Sequence, residues 1–157
     1  MTIKRKILLL LLNSLFLLSC TDKVVYSDFT NIDPVGWDKD EPILFSFPIP
    51  DTINSYDILF HLRHQDNYPY QNMWLFVTTK EASFAAQTDT IEIFLADERG
   101  RWLGDGRNGH IRMPVQYEHN YHFTDTGTYM ISVRQGMRSE QLRGVTQLGV
   151  ELTRTDK

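Results

Sequence analysis

Strict alternation of apolar and polar residues in short runs constrains the fold of this chain more than any other feature. Side chains two positions apart lie on the same face of a β-strand, so each run predicts a strand with one apolar face. The apolar residues of the four clearest runs are Tyr56, Ile58, Phe60 and Leu62; Ile91, Ile93 and Leu95; Tyr129, Ile131 and Val133; and Leu148, Val150 and Leu152.

Shorter apolar runs predict further strands. Ile43–Phe47 is one, and a weaker strand is predicted between Met113 and Phe123. Met73–Val77 is apolar on both faces, which predicts a central strand with Trp74 in the core. Seven or eight short strands separated by turn residues, without helical periodicity, predict an all-β fold. The expected architecture is an antiparallel β-sandwich, immunoglobulin-like or jelly-roll-like.

The segment Asp125–Tyr129 favours a sandwich. It resembles the corner of immunoglobulin-type domains, in which a tyrosine at the start of a strand hydrogen-bonds back across the preceding turn. Ile131 stands where those domains have a cysteine, which argues against a true immunoglobulin domain. The alternative is that Gly127 supplies the positive φ of a hairpin turn and Tyr129 only packs.

The amino terminus has the three parts of a bacterial lipoprotein signal. Lys4, Arg5 and Lys6 precede the apolar stretch Ile7–Leu18, which is too short to span a bilayer well. Leu17–Cys20 then reads as a lipobox, in which the sulfur of the only cysteine becomes the lipid anchor. Residues 1–19 are therefore predicted to be a signal peptide, residues 20–41 the anchor and a tether with a candidate first strand, and residues 42–157 the β-sandwich domain.

The net charge argues against a nucleic acid as the partner. Removal of residues 1–19 takes away three of the 16 Lys and Arg residues and none of the 20 Asp and Glu residues, which leaves a net charge of about −7. Because nucleic-acid binding needs clustered cations that displace counterions from phosphates, no nucleic-acid partner is predicted.

Residues with catalytic or metal-binding chemistry do not form a recognisable constellation. Histidines three apart on a strand point to opposite faces and cannot share a metal, so neither a metal nor a cofactor is predicted. Asp97, Glu98 and Asp105 lie among arginines, which favours salt-bridged or solvated loop charges over acid–base chemistry or calcium binding. We expect no enzymatic activity. The two H-x-x-H pairs are His61 with His64 and His119 with His122.

Two loops contain aromatic residues typical of protein contacts. They are Asp66–Asn72 and the glycine-rich Asp97–Gly109, and they are predicted to share one end of the sandwich. Rigid aromatic side chains provide a large contact area at a small entropy cost. The alternative is that these aromatic side chains cap the core. The candidate partner-binding residues are Tyr68, Tyr70, Arg101 and Trp102.

Several segments together resemble one family. The lipobox, Asn67–Asn72, Gly100–Gly104, Gly127–Tyr129 and Gln135–Arg138 are similar, in order and spacing, to the gliding motility lipoprotein GldH family of the Bacteroidetes. The resemblance implies an envelope lipoprotein needed for gliding and linked to type IX secretion, with other envelope or gliding-machinery proteins as partners. It implies no catalytic residue and no cofactor.

Carbohydrate binding is the alternative function. A carbohydrate-binding module would need at least two exposed aromatic residues in line, whereas a scaffold needs a contiguous contact surface. Only Asp22 is acidic just after Cys20, so the cluster that accompanies surface export in these bacteria is missing, and we expect an outer-membrane location facing the periplasm. The aromatic residues considered for a glycan are Trp37, Trp74, Trp102, Tyr68 and Tyr70.

Overall fold

The computed structural model describes residues 23–155, so the predicted signal peptide and Cys20 lie outside the described residues. Within this range no helix is long and apolar enough to cross a membrane. Eight of the strands have six or more residues, in agreement with the seven or eight predicted. The strands are β1 (Val24–Asn31), β2 (Trp37–Asp38), β3 (Ile43–Pro48), β4 (Tyr56–Gln65), β5 (Asn72–Lys80), β6 (Gln87–Phe94), β7 (Asp105–Arg107), β8 (His110–Tyr121), β9 (Thr128–Gln135), β10 (Gln141–Leu142) and β11 (Val145–Arg154).

Antiparallel pairing joins the strands into two main sheets that pack face to face. One sheet has five strands in the order β1-β11-β4-β8-β7, and the other has four in the order β3-β9-β5-β6. The short strands β2 and β10 form a separate antiparallel pair. The predicted antiparallel β-sandwich is confirmed.

The alternating sequence produces this fold by burying one face of each strand. In β4 every second residue is buried, and Tyr56, Ile58, Phe60 and Leu62 are all at most 1% exposed. Their counterparts in β9 and β11 join the same hydrophobic core from the two sheets. Full burial of one such side chain contributes about 1.5 to 3 kcal/mol to the stability of the fold. The buried apolar faces of the strands therefore account for the packing of the two sheets.

Tyr129 is the second residue of β9, which follows a tight turn. Gly127 has φ +129°, and a Cβ there would lie 2.7 Å from the Cβ of Ala82, so the turn requires glycine. Tyr129 is buried, and its ring packs against that of Tyr121 in β8, with ring centroids 6.0 Å apart. This geometry fits the packing alternative better than an immunoglobulin-type corner.

The candidate first strand is part of the sandwich. β1 pairs with β11 from Val24 to Asn31 and forms one edge of the five-stranded sheet. Trp37 in β2 is also buried, and its indole Nε1 donates to the carbonyl oxygen of Glu41 at 3.0 Å. Long-range pairing with β10 and β11 thus orders β1 and β2, a segment that has few strand signals of its own.

The two ends of the sandwich differ in their connections. The end nearest Lys23, here called the proximal end, contains the loops 49–55, 81–86 and 122–127. The opposite or distal end contains the remaining connections, since β1, β4, β6 and β9 all end there. The distal connections are residues 32–42 around β2, 66–71, 95–104, 108–109 and 136–144 around β10.

Candidate interaction surface at the distal end

The two aromatic loops meet at the distal end, as the sequence predicted. The backbone nitrogens of Leu95 and Ala96 donate to the carbonyl oxygen of Gln71 at 2.8 and 3.1 Å. The nitrogen of Asp66 donates to the carbonyl oxygen of Gly109 at 3.0 Å. Backbone hydrogen bonds therefore hold each loop against the other.

Tyr68 and Trp102 cap the core on either side of His64. The His64 ring centroid lies 4.6 Å from the Trp102 ring and 5.5 Å from the Tyr68 ring. Tyr68 is 4% exposed and its hydroxyl donates to the carbonyl oxygen of Asn72 at 3.2 Å. Trp102 is half-buried. For Tyr68 the capping alternative describes the observed geometry, whereas its neighbour Tyr70 is exposed.

Arg101 stabilises its own loop. Its guanidinium forms an ion pair with Asp97 at 2.7 Å, and the backbone nitrogens of Arg99 and Arg101 both donate to the same carboxylate at 2.9 Å. The backbone hydrogen bond from Arg101 is the main cause that lowers the pKa of Asp97. These contacts agree with the prediction of a salt-bridged loop charge for Asp97, and they leave the Arg101 side chain exposed.

β5 differs most from its prediction. It is a central strand, as predicted, with Met73, Leu75 and Val77 in the core. Trp74 and Phe76 lie on the outer face, 38% and 36% exposed, so the prediction that Trp74 is buried is wrong. A central strand of a two-layer sandwich has one face against the other sheet and one against solvent, which is why apolar residues on both faces leave one set exposed.

Trp74 belongs to a contiguous exposed patch on the four-stranded sheet. Phe94, 61% exposed, pairs with Asn72 across β5 and β6, which makes it a diagonal neighbour of Trp74. Contiguous apolar patches of this kind mark contact sites in folded proteins. The exposed residues of this patch are Tyr70, Trp74, Phe76 and Phe94, and half-buried Met137 lies beside Trp74; together they are called the aromatic surface below.

Buried Gln135 fixes the loop beside Trp74. Its side-chain oxygen accepts from the nitrogen of Met137 at 2.8 Å, and its side-chain nitrogen donates to the carbonyl oxygen of Ser139 at 2.7 Å. Gly136 donates its backbone hydrogen to the carbonyl oxygen of Trp74 at 2.7 Å, and a Cβ on Gly136 would lie 3.1 Å from the Cβ of Trp74. The aromatic surface is therefore held by rigid structure before any partner binds.

An open groove of about 530 Å³ runs along this surface. Tyr70 lies at one side, where its hydroxyl is 3.0 Å from the Ser139 hydroxyl. Asn72 and Arg138 add polar groups to the groove. Its lining thus combines flat aromatic faces with hydrogen-bond donors and one cation.

The histidines of the two H-x-x-H pairs lie in different surroundings. His61 and His64 lie on opposite faces of β4, as their spacing predicted: His61 is 3.3 Å from Glu151 on the outer face, and His64 is buried. His119 contacts Asp57 at 2.9 Å. In residues 23–155 no group of three or more His, Cys, Asp or Glu side chains is arranged to hold a metal ion.

Stability should depend on pH through His64. Burial lowers the pKa of His64 below its usual 6.5, so the unfolded chain binds this proton more tightly than the folded chain. The contribution of neutral His64 is complete above about pH 6.5 and is lost as the pH falls through the lower folded pKa. We expect His64→Phe to flatten the fall in melting temperature between about pH 7 and about pH 5, as measured by circular dichroism.

His122 provides the matched control for this measurement. It is exposed, so His122→Phe should keep the pH dependence of the wild type. Equal slopes for His64→Phe and the wild type would contradict the assignment to His64.

These features define an antiparallel β-sandwich protein with an exposed aromatic surface at the end opposite the start of its first strand. Residues 24–152 match the model of the GldH lipoprotein family, and the chain belongs to that family. The gliding motility lipoprotein GldH of Flavobacterium johnsoniae is 28% identical over 155 residues, which cover 94% of this chain and 96% of that protein. A GldH homolog of Christiangramia forsetii is 28% identical over 145 residues, 88% of each chain. Membership of a lipoprotein family implies a lipid-anchored protein of the cell envelope.

The solved structures include a more distant likeness. A family GH115 4-O-methyl-alpha-glucuronidase matches 88% of this chain and 18% of that enzyme, with a TM-score of 0.45 and 13% identity. A match at this level carries no functional argument.

Phe76, Phe94 and Met137 were not predicted for any site, and Trp74 was considered only as a platform for a glycan. One signal could have indicated that Trp74 and Phe76 are exposed. In an antiparallel sandwich, an apolar run such as Met73–Val77 must expose every second side chain unless another layer covers it.

Proposed function

We propose that this chain is a non-enzymatic envelope lipoprotein that binds another protein through the aromatic surface, within the gliding machinery or an associated type IX secretion-linked assembly. The proposed location is the outer membrane, with the domain in the periplasm and Cys20 as the anchor. The main support for this binding role is the contiguous, rigidly held aromatic surface at the distal end. Family membership supports the setting.

The hydrogen bonds of the buried polar side chains support a non-enzymatic role because they stabilise the fold. Glu81 accepts hydrogen bonds from the backbone and hydroxyl of Thr124 at 2.9 and 3.2 Å. Gln135 holds the loop beside Trp74, and the Nδ1 of His64 lies 2.8 Å from the carbonyl oxygen of Gln65. Catalytic groups would instead be expected to converge on a cleft with strongly shifted pKa values.

Trp74→Ala tests the binding role. We expect it to leave the melting temperature nearly unchanged, since Trp74 lies on the outer face, and to lower partner affinity by more than about 1 kcal/mol, or about fivefold. Melting and recovery of crosslinked envelope partners would be measured on the same protein, alongside Tyr70→Ala. Met130→Ala is the control, because Met130 is exposed on the same sheet nearer the proximal end.

Two results would argue against this interface. Normal partner recovery by a stable Trp74→Ala protein would remove Trp74 from it. A melting temperature lowered by several degrees would show that Trp74 stabilises the fold, and any partner loss would then follow from unfolding.

A carbohydrate-binding module is the second candidate. Tyr70 and Trp74, both 38% exposed, line one groove together with Asn72 and Arg138, which supplies the pair of aromatic faces that a sugar would stack on. Trp37 is buried and cannot serve as such a platform. A saturable change in tryptophan fluorescence on addition of envelope glycans, abolished by Trp74→Ala, would favour this function over a protein partner.

A further inference from the structure

The first described residue is fixed to the proximal end of the sandwich. The carbonyl oxygen of Lys23 accepts a hydrogen bond of 2.7 Å from the backbone nitrogen of Arg154 at the end of β11. Cys20 precedes Lys23 by three residues, and three residues span at most about 11 Å. A lipid on Cys20 therefore keeps Lys23 within about 11 Å of the lipid surface, whatever path residues 21 and 22 take.

Two loops at that end expose large apolar side chains. Ile53 is 76% exposed in loop 49–55, and Phe84 is 51% exposed in loop 81–86. Neither residue is needed to fill the core, and both are at the end that the anchor brings to the bilayer.

The loops present these side chains from ordered turns. Asp51 accepts hydrogen bonds from the backbone nitrogen of Ile53 at 2.9 Å and from the hydroxyl of Tyr56 at 2.6 Å. The nitrogen of Phe84 donates to the carbonyl oxygen of Glu81 at 3.1 Å. Hydrogen bonds within the protein thus order both turns, while the side chains of Ile53 and Phe84 are exposed.

We propose that the proximal end rests on the membrane, with Ile53 and Phe84 inserted at the lipid interface beside the acyl anchor. This orientation rests on the proposed lipidation of Cys20. Apolar side chains that enter the boundary between headgroups and acyl chains add to the binding of a lipid-anchored protein. They also fix the direction of the sandwich axis, which a short anchor alone would leave free to tilt.

The orientation places the aromatic surface away from the membrane. β4 and β11 each have ten residues and connect the two ends. At about 3.3 Å per residue, the distal loops stand about 30 Å from the lipid. A partner would then meet Tyr70 and Trp74 at that height rather than at the membrane surface.

Tryptophan quenching in vesicles tests the orientation. The native Trp37, Trp74 and Trp102 all lie toward the distal end, so the full-length lipidated wild type in phosphatidylcholine vesicles that contain brominated lipid should emit as it does in unbrominated vesicles. Phe84→Trp adds one tryptophan at the proximal end, and its added emission should be strongly quenched. Val35→Trp, at a distal position that is 63% exposed, is the matched control and should not be quenched.

Flotation of the vesicles distinguishes failure of the lipid anchor from failure of the proposed orientation. Wild-type protein that does not float with the vesicles would overturn both the lipid anchor and this orientation. Protein that floats, but in which Phe84→Trp is unquenched or no more quenched than Val35→Trp, would overturn the orientation alone.

Discussion

Tyr129→Ala is expected to lower the free energy of unfolding by about 3 to 5 kcal/mol, the range for a large aromatic side chain truncated in a core. Tyr129 is 2% exposed, and its ring centroid lies 5.3 Å from that of Phe123 and 5.4 Å from that of Phe47. Phe123 in turn packs against Tyr56 at 5.5 Å. Removal of one ring leaves the others facing a cavity that rigid sheets cannot close, and denaturant unfolding would measure the loss.

Tyr129→Phe is the matched control because it keeps the ring and removes only the hydroxyl. Loss of one buried hydrogen-bonding group should cost about 1 kcal/mol, well below the effect of alanine. If Tyr129→Ala itself cost less than about 1 kcal/mol, the aromatic cluster would not be a main source of stability.

Cys20→Ala is expected to abolish membrane attachment. Each buried methylene of an acyl chain contributes about 0.8 kcal/mol, and two or more chains hold a protein firmly, so loss of the only cysteine removes the whole anchor. The protein should appear in soluble fractions or accumulate as an unprocessed precursor. Detergent-phase partitioning and labelling with radioactive palmitate would measure both outcomes.

Ser14→Ala is the control for this experiment, since it changes the apolar stretch without touching the lipobox. It should be processed and labelled as the wild type is. Unchanged partitioning of Cys20→Ala, together with an unlabelled wild type, would contradict lipidation at Cys20.

Strands whose alternation is uninterrupted could be predicted from the sequence. β4, β9 and β11 each bury their apolar stripe as the pattern indicates, because burial of one face fixes the register. β8 is longer than predicted and begins at His110. It contains Pro114, and its register against β4 shifts on both sides of Ile58, so the alternation along β8 is broken.

Features that depend on distant partners could not be predicted. β2 and β10 have two residues each, too few for any periodicity, yet their pairing encloses Trp37. That the two aromatic loops share one end could be inferred from the order of the strands along the chain. That Tyr68 is buried while Tyr70 is exposed could not be inferred. This difference depends on where the ring of His64 lies, which local sequence does not reveal.

The pairing of β1 with β11 determines how the domain would carry a mechanical load. β1 is the first strand after the proposed anchor, and seven of its residues pair with β11 from Val24 to Asn31. A pull between Cys20 and the distal surface runs along the strands, while antiparallel hydrogen bonds lie perpendicular to them. The bonds are then sheared together instead of opening one after another from an end. Attachment through β1 would therefore let the domain transmit tension between a membrane and a moving assembly without unravelling at its first strand.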